Sequence, residues 1–168
     1  MSDYRVFIGL GSNVGDRAAM LNRAAREIAQ IGGVKVLRWS PVYETDAVGK
    51  TDQATFLNAA GELETALAPA DLMRELLSIE ERLGRTRGER WGPRAIDLDI
   101  LVYDGLVQAG PAVTVPHPEL ERRRFVLVPL RELDPDLVHP VSGMTIAELA
   151  EACSGQGRVQ RTANHIKA

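Results

Sequence analysis

The sequence predicts one globular domain in which strands and helices are mixed rather than regularly alternated. Three observations lead there. Apolar residues make up 45% of 168 positions, enough for a real core and too many for a disordered chain. Some segments alternate apolar and polar residues with period two, whereas others carry apolar stripes at helical spacing. The β-α repeats are too few for a doubly wound parallel sheet. No internal repeat, low-complexity tract or long linker divides the chain, so residues 1–168 read as a single domain.

The elements follow in order. Tyr4 to Leu10 is an apolar first strand, and Gly11-Ser12-Asn13-Val14-Gly15-Asp16 turns the chain. Asn13 and Asp16 are both good helix caps. Leu21, Ala24, Ala25 and Ile28 form the stripe of a first helix, ended by Gly32-Gly33. Gly9, Gly11 and Gly15 lack the spacing of a dinucleotide loop, which favours a tight strand-to-helix turn. Val34 to Tyr43 is a second strand with Trp39 and Tyr43 on one face, followed by a loop from Thr45 to Gln53. Gly49-Lys50-Thr51 imitates the end of a P-loop, but Glu44 stands where that motif needs its first glycine.

Phe56 to Thr65 is a third strand. It has Leu57, Ala59, Gly61 and Leu63 on one face, and Phe56, Asn58, Glu62 and Glu64 on the other. An aromatic ring beside an amide suits a flat heterocycle as well as an ordinary cross-strand contact. Pro69 opens a helix with the stripe Leu72, Met73, Leu76, Leu77 and Leu83, and Gly84 closes it. Glu80 borders that stripe, placed to pair with an arginine of the next loop or to reach a ligand. After the turn at Tyr103-Asp104-Gly105, Val113 to Pro118 is extended. Phe125, Leu127, Val128 and Leu130 mark a helix stopped by Asp134-Pro135. Thr145 to Ala152 is a last helix, with a frayed tail expected after about residue 155.

The chemistry concentrates in Arg90-Trp91-Gly92-Pro93-Arg94-Ala95-Ile96-Asp97-Leu98-Asp99-Ile100-Leu101. Ile96, Leu98 and Ile100 alternate with Asp97 and Asp99, so a strand here buries three aliphatics and projects both carboxylates from the opposite face. Two like charges side by side need compensation by water, arginine or a metal. Carboxylate oxygens suit Mg2+, which completes its shell with water and substrate phosphates. Arg82, Arg85, Arg87, Arg90 and Arg94 crowd the preceding segment, and Arg122, Arg123 and Arg124 form a second cluster. Guanidinium groups match phosphate in a two-pronged geometry. The arginine loop from Gly84 to Ala95 reads either as a lid over a polyphosphate or as a solvated loop. His117 reads as a phosphate or metal contact or as a structural histidine. His139 and His165 lie far from it, without zinc-ligand spacing.

Composition narrows the partners. A net charge of −3 argues against a general nucleic-acid binder. The single Cys153 fits a reducing compartment, and no apolar run approaches the roughly 18 residues of a spanning helix. A cytoplasmic protein without a membrane or nucleic-acid partner is expected. A sugar transferase using Asp-x-Asp is the rival metal enzyme, but such domains are larger and doubly wound.

Taken together, the motifs resemble the 6-hydroxymethyl-7,8-dihydropterin pyrophosphokinase family, also called 2-amino-4-hydroxy-6-hydroxymethyldihydropteridine diphosphokinases. The signature is Arg90-Trp91-Gly92-Pro93-Arg94-x-x-Asp97-Leu98-Asp99-Ile100-Leu101. Gly9-x-Gly11-Ser12-Asn13, Ser40-Pro41-Val42-Tyr43-x-Thr45, Phe56-Leu57-Asn58-Ala59-Ala60 and Val115-Pro116-His117 fall in the expected order. The resemblance implies an α+β, ferredoxin-like sandwich, a mainly antiparallel sheet with helices on its faces. It implies pyrophosphoryl transfer from ATP to the pterin hydroxymethyl group in folate biosynthesis. Nothing in the sequence demands a dimer, so a monomer is expected. Two Mg2+ ions would sit on Asp97 and Asp99, which with Arg85 and Arg94 form the implied catalytic set. Arg85, Arg87, Arg90, Trp91, Arg94, Ile100, His117 and Arg123 would line the ATP side. Thr45, Asp46, Val48, Phe56, Asn58 and Phe125 would hold the pterin between the two phenyl rings. Phe56 stands where some members carry tyrosine, and Pro118 where some carry an aromatic residue.

Overall fold

The computed structural model describes residues 3–47, 53–84, 95–154 and 157–167. Strand β1 (Tyr4–Ser12) leads into helix α1 (Arg17–Ala29). Strands β2 (Val34–Trp39), β3 (Pro41–Thr45) and β4 (Phe56–Thr65) follow, then helix α2 (Pro69–Arg82) and strand β5 (Asp97–Tyr103). A short 3-10 turn at Leu120–Arg122 precedes α3 (Arg124–Leu133), α4 (Ile146–Ala152) and β6 (Val159–His165). The strands among the described residues form one six-stranded sheet of order β5-β1-β4-β3-β6, with β2 also on β4. Every pairing is antiparallel. With β2 and β3 taken as one interrupted strand, β1 to β5 trace the β-α-β-β-α-β pattern of ferredoxin-like domains.

Each face of the sheet has its own core. On one, Val6, Ile8, Leu10, Leu57, Leu63, Ile96, Leu98 and Ile100 meet Leu21, Ala24 and Ile28 of α1 and Leu72, Leu76 and Ile79 of α2. On the other, Phe7, Ala60, Leu101 and Val102 meet Leu127, Leu130 and Leu133 of α3 and Ile146, Leu149 and Ala150 of α4. Period-two alternation in the strands makes both layers possible. The first helix begins as expected, with Asp16 Oδ1 accepting the Ala19 N–H at 3.1 Å. Thr145 and Glu148 cap α4 reciprocally. In α2 the stripe is rotated from the expected one. Ile79 is fully buried and Leu77 is 43% exposed, because Leu72, Leu76 and Ile79 already fill the contact with the sheet.

Three further expectations are corrected. Gly11 and Ser12 belong to β1 rather than to the turn, since their backbones pair with Asn58 and Leu57. Trp39 and Tyr43 lie on opposite faces. Trp39 pairs with Gly61 and Tyr43 with Asn58, so four residues on β2 and β3 span three on β4. One extra residue reverses the side-chain alternation. Ser40 sits at the break, exchanging bonds with Ala60: its N–H donates to the carbonyl and its Oγ accepts the Ala60 N–H, both at 2.8 Å. Trp39 consequently packs over Gly61, where a Cβ would lie 2.4 Å from its ring. Tyr43 instead donates to Glu132 Oε1 of α3 at 2.7 Å.

The third correction concerns the tail, which does not fray. Its strand β6 pairs with β3, Thr162 Oγ1 donates to the Val42 carbonyl at 2.9 Å, and Ile166 packs against the first core. Few of its side chains are buried, so the ordering comes from backbone pairing that hydropathy does not report.

The C-terminal end of α3 is tied to the sheet by ions. Glu62 is 4% exposed and accepts from Arg5 Nε and from Arg38 Nη2 at 2.6 Å. Arg5 also reaches Asp134 Oδ2 at 2.9 Å, and Arg38 Nη2 donates to the Leu133 carbonyl at 2.6 Å. Burial alone would raise the Glu62 pKa, but the hydrogen bonds from Arg5 and Arg38 outweigh it and hold the group below the ordinary glutamate value. A lowered folded-state pKa means that this contribution is complete above the unfolded glutamate pKa of about 4.3 and is lost as pH falls through the folded value. Glu62→Gln should cost about 1–2 kcal/mol in urea unfolding at pH 7, discounted because both guanidinium groups are partly exposed. The loss should shrink below pH 4, where wild type has itself lost the charge.

Candidate active site

A cavity of about 280 Å3 opens on the α3 face of the sheet. Its floor is made where β5 meets β1. Asp97 pairs with Gly11 and Asp99 with Gly9, so each carboxylate stands beside a residue with no side chain. The edge position of β5 and the alternation along it bring both carboxylates into the cavity, while Leu98 and Ile100 point into the opposite core. The strand is pinned at its start by Glu80, 2% exposed, whose Oε2 accepts the Leu98 N–H at 2.7 Å. That bond gives Glu80 a structural role in placing Asp97 and Asp99.

One wall comes from β3 and β4. Phe56, Asn58 and Ala60 project from the same face of β4, and Asn58 Nδ2 donates to Thr45 Oγ1 at 2.7 Å. Both partners are nearly buried, at 8% and 1% exposure, so this bond fixes the amide orientation. Gly11 is required beside it, because a Cβ there would lie 2.5 Å from Asn58 Oδ1. Asn13 Nδ2 supports the start of β4 by donating to the Ala54 carbonyl at 3.2 Å, a structural role instead of the helix cap expected of it.

The opposite wall comes from the segment leading into α3. The His117 N–H donates to the Leu101 carbonyl at 2.8 Å, and its Nδ1 accepts the Glu119 N–H at 3.1 Å. The neutral imidazole therefore carries its proton on Nε2, which lies 4.0 Å from Asp99 Oδ1. Arg123 Nη1 is 4.0 Å from Asp99 Oδ2, and its guanidinium lies 5.7 Å from the centre of the Phe125 ring. Burial, followed by the Arg123 charge, lowers the His117 pKa to about 4.

The cavity thus collects Thr45, Asp46, Phe56, Asn58, Asp97, Asp99, His117, Arg123 and Phe125 from distant parts of the sequence. Ile100 does not join them. Its side chain is 2% exposed in the opposite core, which leaves only its backbone for a ligand. Val48, Arg85, Arg87, Arg90, Trp91 and Arg94 lie outside the described residues. Gly9, Gly11, Gln53, Ala60 and Leu101 also line the cavity, a role not read from the sequence. For the glycines the signal was their two-residue spacing, which on a strand places both on one face. Among the described residues no group of three or more His, Cys, Asp or Glu side chains could enclose a metal. Asp97 and Asp99 fit Mg2+ in the manner of a site completed by water and phosphate.

An acidic pair facing basic and aromatic walls on an α+β sandwich defines a small-molecule site of the phosphate-handling class. The fold is also that of a solved Plasmodium falciparum HPPK-DHPS chain, with a TM-score of 0.71 at 15% identity over 89% of this chain. The present chain spans 45% of that longer one. Residues 7–135 match the family 7,8-dihydro-6-hydroxymethylpterin-pyrophosphokinase (HPPK), and the chain belongs to it.

Two relatives agree over most of their length. The 2-amino-4-hydroxy-6-hydroxymethyldihydropteridine pyrophosphokinase of Methylorubrum extorquens is 47% identical over 144 residues, covering 86% of this chain and 90% of the relative. The enzyme of the same name from Pseudomonas aeruginosa is 39% identical over 153 residues, covering 91% and 94%.

Two outcomes test the geometry. Gly11→Ala should displace the Asn58 amide and weaken binding of a pterin by about tenfold in calorimetry, with a small loss of thermal stability. NMR titration of the ligand-free protein should find His117 neutral at pH 6 with a midpoint near 4. Because the unfolded chain binds the extra proton first, stability should decline as pH falls from about 6.5 toward 4.

Proposed function

We propose that the protein transfers the pyrophosphoryl group of ATP to the hydroxymethyl oxygen of 6-hydroxymethyl-7,8-dihydropterin, releasing AMP, as a step of folate biosynthesis. The observation that carries this reading is the placement of Asp97 and Asp99 in one cavity with the Phe56 and Phe125 rings and the Asn58 amide. One end suits phosphate chemistry and the other suits a flat, hydrogen-bonding heterocycle.

The pterin lies between Phe56 and Phe125, with Asn58 reading its edge and Thr45, Asp46 and Val48 forming the surrounding wall. His117 donates from Nε2 and Arg123 from its guanidinium to phosphate oxygens. Arg85 and Arg94 neutralise the transferring group, with Arg87, Arg90 and Trp91 on the nucleotide side. Asp97 and Asp99 would hold Mg2+, with two ions expected alongside ATP, and the metal would supply charge neutralisation and make the attacking alcohol more acidic. The residues themselves position a neutral alcohol against a multiply charged triphosphate, and catalysis of this kind rests on positioning and charge stabilisation. A neutral His117 is a donor that adds no repulsion toward Arg123. No helix among the described residues is long and apolar enough to cross a membrane. With a single cysteine, the reducing cytoplasm is the compartment we assign.

Asp97→Asn and Asp99→Asn should each reduce AMP release by a factor of about 10² or more, with far-UV circular dichroism and melting temperature close to wild type. Full Mg2+-dependent turnover in either variant would refute the assignment of these carboxylates.

A further inference from the structure

The pterin-side wall has a support that the proposed function does not use. Asp46 lines the cavity at the end of β3, where the chain leaves the sheet on its way to Phe56. It is gripped from outside by the segment entering β6. The Arg158 N–H donates to Asp46 Oδ2 at 2.8 Å, and the Asp46 N–H donates to the Arg158 carbonyl at 3.1 Å. Gly157 lies directly against it with φ of +80°, and a Cβ there would stand 2.9 Å from Asp46 Cβ. Only a glycine fits both the conformation and the close approach.

The grip extends along the root of the β3–β4 connection. Arg158 Nη2 is 3.5 Å from Glu44 Oε1, while Arg17 Nη2 is 3.1 Å from the other oxygen of the same carboxylate. Arg17 Nη1 also donates to the Thr55 carbonyl at 3.0 Å and to Thr55 Oγ1 at 2.8 Å. Thr55 precedes Phe56. Asp46 and Thr55, the residues flanking Thr45 and Phe56 on the connection, are therefore fixed by one charged chain running Arg158, Glu44, Arg17. Strand β6 lies beyond residues 7–135, the part that matches the family.

We propose that Gly157 and Arg158 are positioning residues for the pterin subsite, holding Asp46 and the end of β3 where the heterocycle meets them. The inference rests on the pyrophosphokinase reading and adds a determinant of pterin affinity outside the cavity. Neither residue lines the cavity, and the Asp97 and Asp99 end is remote from this edge of the sheet, so the nucleotide side should not feel their loss.

Steady-state kinetics on the full chain separates the two sides. Gly157→Val should raise KM for 6-hydroxymethyl-7,8-dihydropterin about fivefold, the equivalent of one lost hydrogen bond. Arg158→Ala, which keeps the backbone pair and removes a side chain that is 51% exposed, should raise it about twofold, with recovery in Arg158→Lys. KM for ATP and kcat should stay within about twofold of wild type in all three. An unchanged pterin KM in Gly157→Val or Arg158→Ala, or a proportional rise in both KM values, overturns the proposal while leaving the activity standing. A wild-type chain that releases no AMP with this pterin overturns the activity and the proposal together.

Discussion

Two carboxylates on an edge strand repel each other, and the whole site is arranged around tolerating them. Asp97 and Asp99 are forced onto one face by strand alternation, and the neighbouring strand offers glycine at both paired positions. The space so opened is bounded by Arg123 and His117, whose groups stand 4.0 Å from the Asp99 oxygens. A positive residue and a neutral donor facing an acidic pair give alternating charge across a small cavity. A polyanion entering such a cavity meets like charge at the acidic pair, which an accompanying cation would offset.

The scaffold keeps those groups in place from several directions. Glu80 holds the start of β5 through the Leu98 N–H, so helix α2 and the acidic strand move together. Glu62 couples β1, β2 and the end of α3 through Arg5 and Arg38, and the same helix carries Phe125 near its start. Its far end is therefore tied to the sheet while its first turn frames the cavity. Sites built on such regular elements hold their geometry better than sites built on loops alone.

The two sides of the cavity differ in how they are supported. The acidic side stands on the pairing of edge strand β5 with β1, backed by both cores. The side carrying Thr45, Asp46 and Phe56 stands where β3 gives way to a connection, and there charged and backbone ties replace apolar packing. Asn13, Arg17 and Arg158 each reach this region from a different part of the chain. Hydrogen bonds hold a chain end where too few apolar side chains are available to bury.

The sequence by itself determined what local periodicity and motif chemistry encode. The alternation from Ile96 to Ile100 placed Asp97 and Asp99 on one face, the stripes located α1 and α3, and the arginine-rich signature carried the family. Tertiary structure decided what depends on register and on contacts between distant segments. A single extra residue around Ser40 sent Trp39 and Tyr43 to opposite faces, which no count along one strand reveals. Gly9 and Gly11 became a floor only when β5 was paired beside them. The Ile100 side chain was turned into the opposite core by the same alternation that delivered its neighbours. The tail, poor in buried side chains, became β6 through backbone bonds to β3, because hydropathy reports burial and is silent on which backbone a strand will pair with.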